Sequence, residues 1–373
     1  MPIQFTGSLD ITGSLLLNNT AVTASKSGTV DTGSIMITGS VSGSVFTFEK
    51  GDGTTFSLEL AGGDVNNIQT FTTTGTWVKP SGSTQVMVLL WGAGGGGGSG
   101  GIADVATGTG VGGGGGGAGG CISMALYNAA SLPDSGSVSV GVGGAGGAAI
   151  SNTSFGPISG NAGEQGNPTY FLYDDSDLSN ITYYQIANPG FGGGAGVFPA
   201  SGAGGLGGCL TGNNIVLAVS NQGRGGATGN EANLDSSNAG WTSQGGGAGG
   251  HTAGGTTGFR GGRGNASKNL YFFSGSLTAN NGVAATTSSA ATDGLDGTTI
   301  IGGIYGLVAY GGGGGGCGSS IFSNGGNGGN GGFPGGGGGG GGASAGTGDI
   351  FNPNISGEGG DGGDGVAVII SYF

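Results

Sequence analysis

Charge is scarce in this chain. Only 7% of its 373 residues are charged, 7 Lys and Arg against 20 Asp and Glu, for a net charge of −13. Binding to a phosphate backbone needs clustered basic side chains, so nucleic acid is not an expected partner. The chain has one histidine, His251. Histidine-based nucleophile chemistry would depend on it alone, and no Gly-x-Ser-x-Gly element between a strand and a helix accompanies it. No apolar run approaches the eighteen or so residues that cross a bilayer as a helix. The opening Met1-Pro2-Ile3-Gln4-Phe5-Thr6 has neither the basic nor the apolar region of a secretory signal, and none is expected. The three cysteines, Cys121, Cys209 and Cys317, lie far apart, each beside glycine. Their number and spacing speak against a disulfide framework or a zinc site. Each is expected to be a small buried residue. Proline is rare, at 9 residues, and the glycines keep no strict every-third pattern, which excludes collagen.

What the chain does have is glycine, 103 residues of it. It comes in blocks, including 94–98, 112–117, 311–316 and 335–342. Such a composition usually signals low complexity, and each glycine fixed in regular structure costs roughly 0.5–1 kcal/mol more than alanine. Side-chain burial cannot offset that cost inside the blocks. Polyproline II geometry can, because it repeats every three residues and turns every N–H and C=O outward. Helices without side chains then approach closely enough to bond one another, at roughly 0.5–1.5 kcal/mol net per bond. The expected fold class is mostly β and irregular with essentially no α-helix. A polyglycine II bundle with loop insertions, clamped by a few antiparallel strands, is expected over 64–373.

Residues 1–63 differ. Thr-Gly-Ser occurs at Thr6-Gly7-Ser8, Thr12-Gly13-Ser14, Thr32-Gly33-Ser34 and Thr38-Gly39-Ser40. Apolar triplets such as Leu15-Leu16-Leu17 and Ile35-Met36-Ile37 lie between them. This pattern reads as short strands joined by Gly-Ser turns. One copy has too few apolar residues to bury a face alone, so lateral association into a homotrimer is expected, with a hairpin stack within one chain as the alternative. This segment is assigned to attachment and oligomerisation.

After residue 64 the strand signals sharpen. Gln85-Val86-Met87-Val88-Leu89-Leu90-Trp91 is an apolar run of strand length that stops at polyglycine. Similar runs stand at 121–127 and 137–142. The chain closes on Gly365-Val366-Ala367-Val368-Ile369-Ile370-Ser371-Tyr372-Phe373. The strands at either end of the glycine-rich region are expected to pair antiparallel and clamp it, concentrating ordinary hydrophobic burial there.

Here the sequence resembles a known family. The stretch Thr70-Phe71-Thr72-Thr73-Thr74-Gly75-Thr76-Trp77 with Pro80, then Val86-Met87-Val88 and Trp91-Gly92-Ala93-Gly94-Gly95-Gly96, is similar to the opening of the glycine-rich domain of bacteriophage tail fibre and receptor-binding adhesin proteins. Residues 137–147 and the closing Gly-Gly-Asp-Gly-Val-Ala-Val-Ile-Ile resemble later segments of that domain. The resemblance covers about residues 69–373, and the long insertions depart from it. The Thr-Gly-Ser repeats also resemble those of structural proteins of marine phages. The resemblance implies a virion fibre or its tip, assembled in the host cytoplasm and extracellular on the released particle.

Two rows of polar residues recur every third position: Asn324, Asn327 and Asn330, and Glu358, Asp361 and Asp364. On a three-fold helix each row lies along one edge, with members about 9 Å apart. One such edge cannot supply the six to eight oxygens calcium takes. A solvated outer edge is expected, and a calcium shared between strands or subunits is the alternative. Asp174-Asp175-Ser176-Asp177 is expected to be a surface turn. No metal or cofactor is expected, and no catalytic group. Carboxylate pairs for glycan cleavage are not marked by neighbours that would set their pKa values apart.

Aromatic residues avoid the glycine blocks and gather in the insertions, where rigidly mounted loops commonly carry recognition. The candidate receptor-binding residues are Tyr183, Tyr184, Trp241, Phe259, Arg260, Arg263, Tyr271 and Phe272. The alternative for each is packing against the bundle. The expected function is non-enzymatic adhesion by a tail fibre or fibre tip. Its partners would be other virion proteins through the N-terminal segment and a host surface glycan or outer-membrane protein through the loops. A purely architectural virion protein, such as a capsid decoration or head fibre, is the alternative. A glycan depolymerase and an antifreeze protein are the remaining rivals; the latter needs a flat Ala or Thr face that the bulky insertions interrupt.

Overall fold

A computed structural model describes the strands within the first 65 residues. Beyond them it describes residues 67–104, 110–152, 156–171, 185–197, 245–250, 252–253, 257–258, 261, 291, 293–297, 323–346 and 354–373. The chain divides into two compact units, Met1–Val65 and Asn66–Tyr372. The protein is mostly β and irregular and essentially without helix. Among the described residues the only helical turn is a 3-10 turn at Ala129–Ser131.

In the first unit, β1 (Leu15–Leu17) pairs antiparallel with β2 (Thr20–Val22). Strands β3 (Met36–Ser42), β4 (Val45–Lys50) and β5 (Thr55–Glu59) form an antiparallel meander. One expectation is corrected here. Thr38-Gly39-Ser40 is not a turn but the middle of β3, opposite Glu49, Phe48 and Thr47. Ser42 stands opposite Val45 at the close of the pairing.

The second unit begins with β6 (Asn67–Phe71), β7 (Gly75–Val78) and β8 (Gln85–Trp91). It continues through β9 (Ile102–Asp104), β10 (Ile122–Asn128), β11 (Ser135–Ser139), β12 (Ser151–Asn152), β13 (Thr169–Phe171) and β14 (Gln185–Ala187). The last strands are β15 (Thr252–Ala253), β16 (Thr257–Gly258), β17 (Ser344–Gly346), β18 (Asn354–Ile355) and β19 (Val366–Tyr372). Two four-stranded sheets, β10-β8-β19-β6 and β14-β13-β11-β7, pack face to face. The expected clamp is present: β19 pairs antiparallel with β8, from Val366 opposite Trp91 to Tyr372 opposite Gln85.

Alternation along these strands sorts the core. Val86, Val88, Leu90, Ala367 and Ile369 point inward and meet Trp77, Val138, Phe171 and Ala187 of the other sheet. Trp77 and Phe171 contact edge to face, centroids 5.3 Å apart at 70°, the arrangement aromatic quadrupoles prefer. Leu89, Trp91, Val366, Val368 and Ile370 point the other way and form a second cluster with Ile122. This is the conventional part of the molecule. Its apolar side chains are large enough to make burial favourable at roughly 25 cal/mol per Å².

The glycine tracts start where the strands stop. β8, β11 and β14 run straight into tracts leaving the sandwich, and β10, β13 and β19 receive tracts coming back. The 92–102 tract lies at the centre. Its N–H groups at 94, 97 and 100 donate to Gly363, Gly360 and Gly357. Those at 95, 98 and 101 donate to Ala118, Gly115 and Gly112, and those at 96, 99 and 102 to Glu164, Asn161 and Ile158. Its carbonyls accept in the same rhythm, from Gly190, Gly193 and Gly196, from Gly338, Gly341 and Ser344, and from Gly144 and Gly147. Six neighbours thus surround one tract, three antiparallel tracts receiving and three parallel tracts giving. A return to the same neighbour every third residue is the periodicity of a helix with three residues per turn. Burial follows the same beat at the margin, where 324–332 cycles exposed, intermediate, buried.

Close approach explains the composition. A Cβ built on Gly94, Gly97 or Gly100 would fall on the carbonyl of Gly336, Gly339 or Gly342. Only a residue without a side chain fits where one backbone abuts another.

Candidate functional site

Two features of the glycine-rich unit lie outside ordinary packing: a lateral row of polar side chains and the end of the bundle away from the sandwich.

The row is built from Asp-Gly and Asn-Gly pairs at every third position. Asn330 Oδ1 accepts the N–H of Asp361 at 2.9 Å, while the N–H of the next residue, Gly331, donates to the Asp361 carbonyl at 2.7 Å. The same two-point grip joins Asn327-Gly328 to Glu358 and Asn324-Gly325 to Ile355. One tract further out, Asp293-Gly294 grips Asn327 and Asp296-Gly297 grips Asn330, every bond 2.7 Å. On the other flank, Asp361 and Asp364 accept the N–H groups of Gly146 and Gly143 at 2.8 Å. A continuous chain of main-chain donors and side-chain acceptors therefore runs from Asp296 through Asn330 and Asp361 to Gly146.

The expected edge is there, since all six residues of the two sequence rows are exposed. A solvated edge alone would leave their oxygens to water. The structure instead assigns five of the six side chains, all but Glu358, as acceptors for the N–H of the adjoining tract. A backbone carbonyl accepts a neighbour's N–H only where the tracts' phases match, and a short carboxamide or carboxylate supplies the acceptor elsewhere. Asp293 and Asp296 were missed as members. Their spacing of three, each before glycine, was the available signal. Among the described residues no cluster of three or more His, Cys, Asp or Glu is placed to hold a metal ion.

A cleft of about 430 Å³ lies at a corner of the sandwich, lined by Lys79–Ser83, Ala129, Ala130 and Asp134. Its cation is committed to the fold. Lys79 Nζ donates to the Leu132 and Ala129 carbonyls at 2.8 and 3.3 Å and pairs with Asp134 at 3.0 Å.

Cys121 corrects the sequence reading of the cysteines. It is buried beside the bundle as expected, but it is disulfide-bonded. Cys209 and Cys317 lie outside the described residues. Tracts that leave and re-enter the sandwich bring residues distant in sequence side by side, so sequence separation carries no information about thiol pairing.

The eight candidate recognition residues, Tyr183, Tyr184, Trp241, Phe259, Arg260, Arg263, Tyr271 and Phe272, lie outside the described residues. The described positions flanking them fall in three places. Phe171 and Gln185, on either side of Tyr183 and Tyr184, are paired in the sandwich. Gly258, just before Phe259 and Arg260, pairs with Thr252, whose N–H donates to the Val111 carbonyl at the far end of the bundle. Trp241 stands four residues before Gly245, and Gly246 donates to Gly117 further back along the tracts. The far end also carries β9 paired parallel with β17, and the small cluster of Ala103, Val111, Ala343 and Ala345.

No family model matches the chain, and no curated protein is significantly similar to it.

Proposed function

We propose that this chain is a bacteriophage virion fibre subunit, of the tail fibre or its tip, that adheres to the host surface through loops mounted on a polyglycine II scaffold. The observation carrying this reading is the order of parts in the second unit. The chain enters at Asn67 opposite Ser371, at the end of the sheet farther from the tracts. A connection bearing Phe259, Arg260, Arg263, Tyr271 and Phe272 follows Gly258 at the opposite end. Main-chain hydrogen bonds in between, roughly 0.5–1.5 kcal/mol each, make a rigid spacer out of residues that offer proteases and partners few side chains. The resemblance of residues 69–373 to glycine-rich phage domains agrees with this order. In this reading the N-terminal unit trimerises and attaches to other virion proteins, and weak contacts to a glycan or outer-membrane protein gain strength from copy number.

The test is adhesion by the purified chain. Fluorescently labelled protein should decorate cells of a susceptible host and block infection by the parent phage. F259A with R260A and R263A should lower binding at least about tenfold, the effect of losing one or two anchoring contacts, with the sandwich and tracts intact by hydrogen exchange. Protein that decorates no host cell while being located on the particle would overturn adhesion in favour of an architectural role.

A further inference from the structure

We propose that Asn324, Asn327 and Asn330 are latent deamidation sites that the folded bundle holds shut. Each precedes glycine, the residue that least hinders attack of its backbone nitrogen on the asparagine side chain. In that reaction the glycine N loses its proton and bonds to Cγ, the Cγ–Nδ2 bond breaks, and ammonia leaves. Water then opens the ring to aspartate or isoaspartate. No oxidant or further reactant is needed.

Both reacting groups are occupied in the structure. The attacking N–H groups of Gly325, Gly328 and Gly331 donate to the carbonyls of Ile355, Glu358 and Asp361 at 2.9, 2.8 and 2.7 Å. The Oδ1 atoms next to the attacked carbons accept the N–H groups of those same three residues at 3.0, 2.9 and 2.9 Å. Cyclisation has to break both bonds of the grip, because the nitrogen and the side chain must turn toward each other rather than toward the neighbouring tract. Asn327 and Asn330 are held a second time, through their own N–H groups, by Asp293 and Asp296. Opening exposes the reaction, and the reaction keeps the tract open. Isoaspartate adds a backbone atom and breaks the three-residue repeat, and either product adds a carboxylate to a row that already carries Asp293, Asp296, Glu358 and Asp361. Three chemically labile steps thus record whether the bundle has opened.

The experiment is site-resolved peptide mass spectrometry after incubation at mildly alkaline pH, on the full chain native and unfolded in denaturant. Deamidation at all three asparagines should be at least about tenfold slower in the native chain, the factor that two hydrogen bonds of ordinary net strength impose on opening. Equal rates in the two states would overturn the proposal. A second measurement uses D293A with D296A in the native chain. Acceleration at Asn327 and Asn330 over Asn324 supports the grip as the guard, and an unchanged pattern across the three sites refutes it.

Discussion

Asn330 and Asp361 hold each other through main chain and side chain at once. The Asp361 N–H reaches Asn330 Oδ1 at 2.9 Å, and the Asp361 side chain passes the contact on to Gly146 at 2.8 Å. Asn330→Ala should free the Asp361 N–H and destabilise the chain by about 0.5–1.5 kcal/mol, the net value of one such bond. Site-resolved hydrogen exchange checks it: the Asp361 amide should exchange faster in the variant while Gly97 stays protected. Unchanged exchange at Asp361 would show that the side-chain acceptor contributes nothing.

Gly97 sits in the central tract with no space for a methyl group. Its Cβ would fall on the Gly339 carbonyl, while its own N–H is bonded to Gly360 and its carbonyl to Gly147. Relief would break bonds on two sides. Gly97→Ala should therefore cost about 3 kcal/mol or more, the upper range for overpacking. Thermal unfolding followed by protease susceptibility reads the effect, and a variant melting with the parent chain would mean the tracts are not packed this closely.

Lys79 separates a charge effect from a hydrogen-bond effect. Asp134 is 97% exposed in its side chain and Lys79 only 19%, so water screens the ion pair. Asp134→Asn should change stability by less than about 0.5 kcal/mol. Lys79→Ala removes the donor to two carbonyls, Ala129 and Leu132, and should cost clearly more. Denaturant midpoints of the two variants decide it, and equal losses would place the energy in the ion pair.

Cys121 should be linked within the chain. Its partner is one of two cysteines, so one free thiol should remain per chain. Mass spectrometry of non-reduced digests should find the Cys121 peptide bridged to a Cys209 or Cys317 peptide. Three free thiols, or a bridge between two chains, would contradict the bond.

The most local signals survived folding best. The run 85–91 is a strand over its whole length and ends where glycine begins, because the apolar β-branched pattern and the loss of side chains are both written in adjacent residues. The rows at 324–330 and 358–364 were legible as edges for the same reason, a period of three. Their role as acceptors was not legible, because it depends on which tract lies alongside and in what phase. Half of the second sheet was hidden too, although β11 falls on the run read at 137–142 and stops at Ser139. Strands β13 and β14 are three residues each, too short to show alternation, and Thr-Gly-Ser at 38–40 looked like a turn because its residues also favour turns.

Composition by itself determined that side chains could not form the interior of the glycine blocks 94–98, 112–117 and 335–342 and that backbone groups must pair between tracts, since every N–H and C=O removed from water needs a partner. It could not determine which tract neighbours which, because one run of glycines is interchangeable with another. That choice belongs to the tertiary structure. The sandwich fixes where each tract leaves and returns, and the Asn and Asp side chains along the margin fix the phase in which the outer tracts meet. Both act through residues far apart in the chain, and so only the folded arrangement contains them.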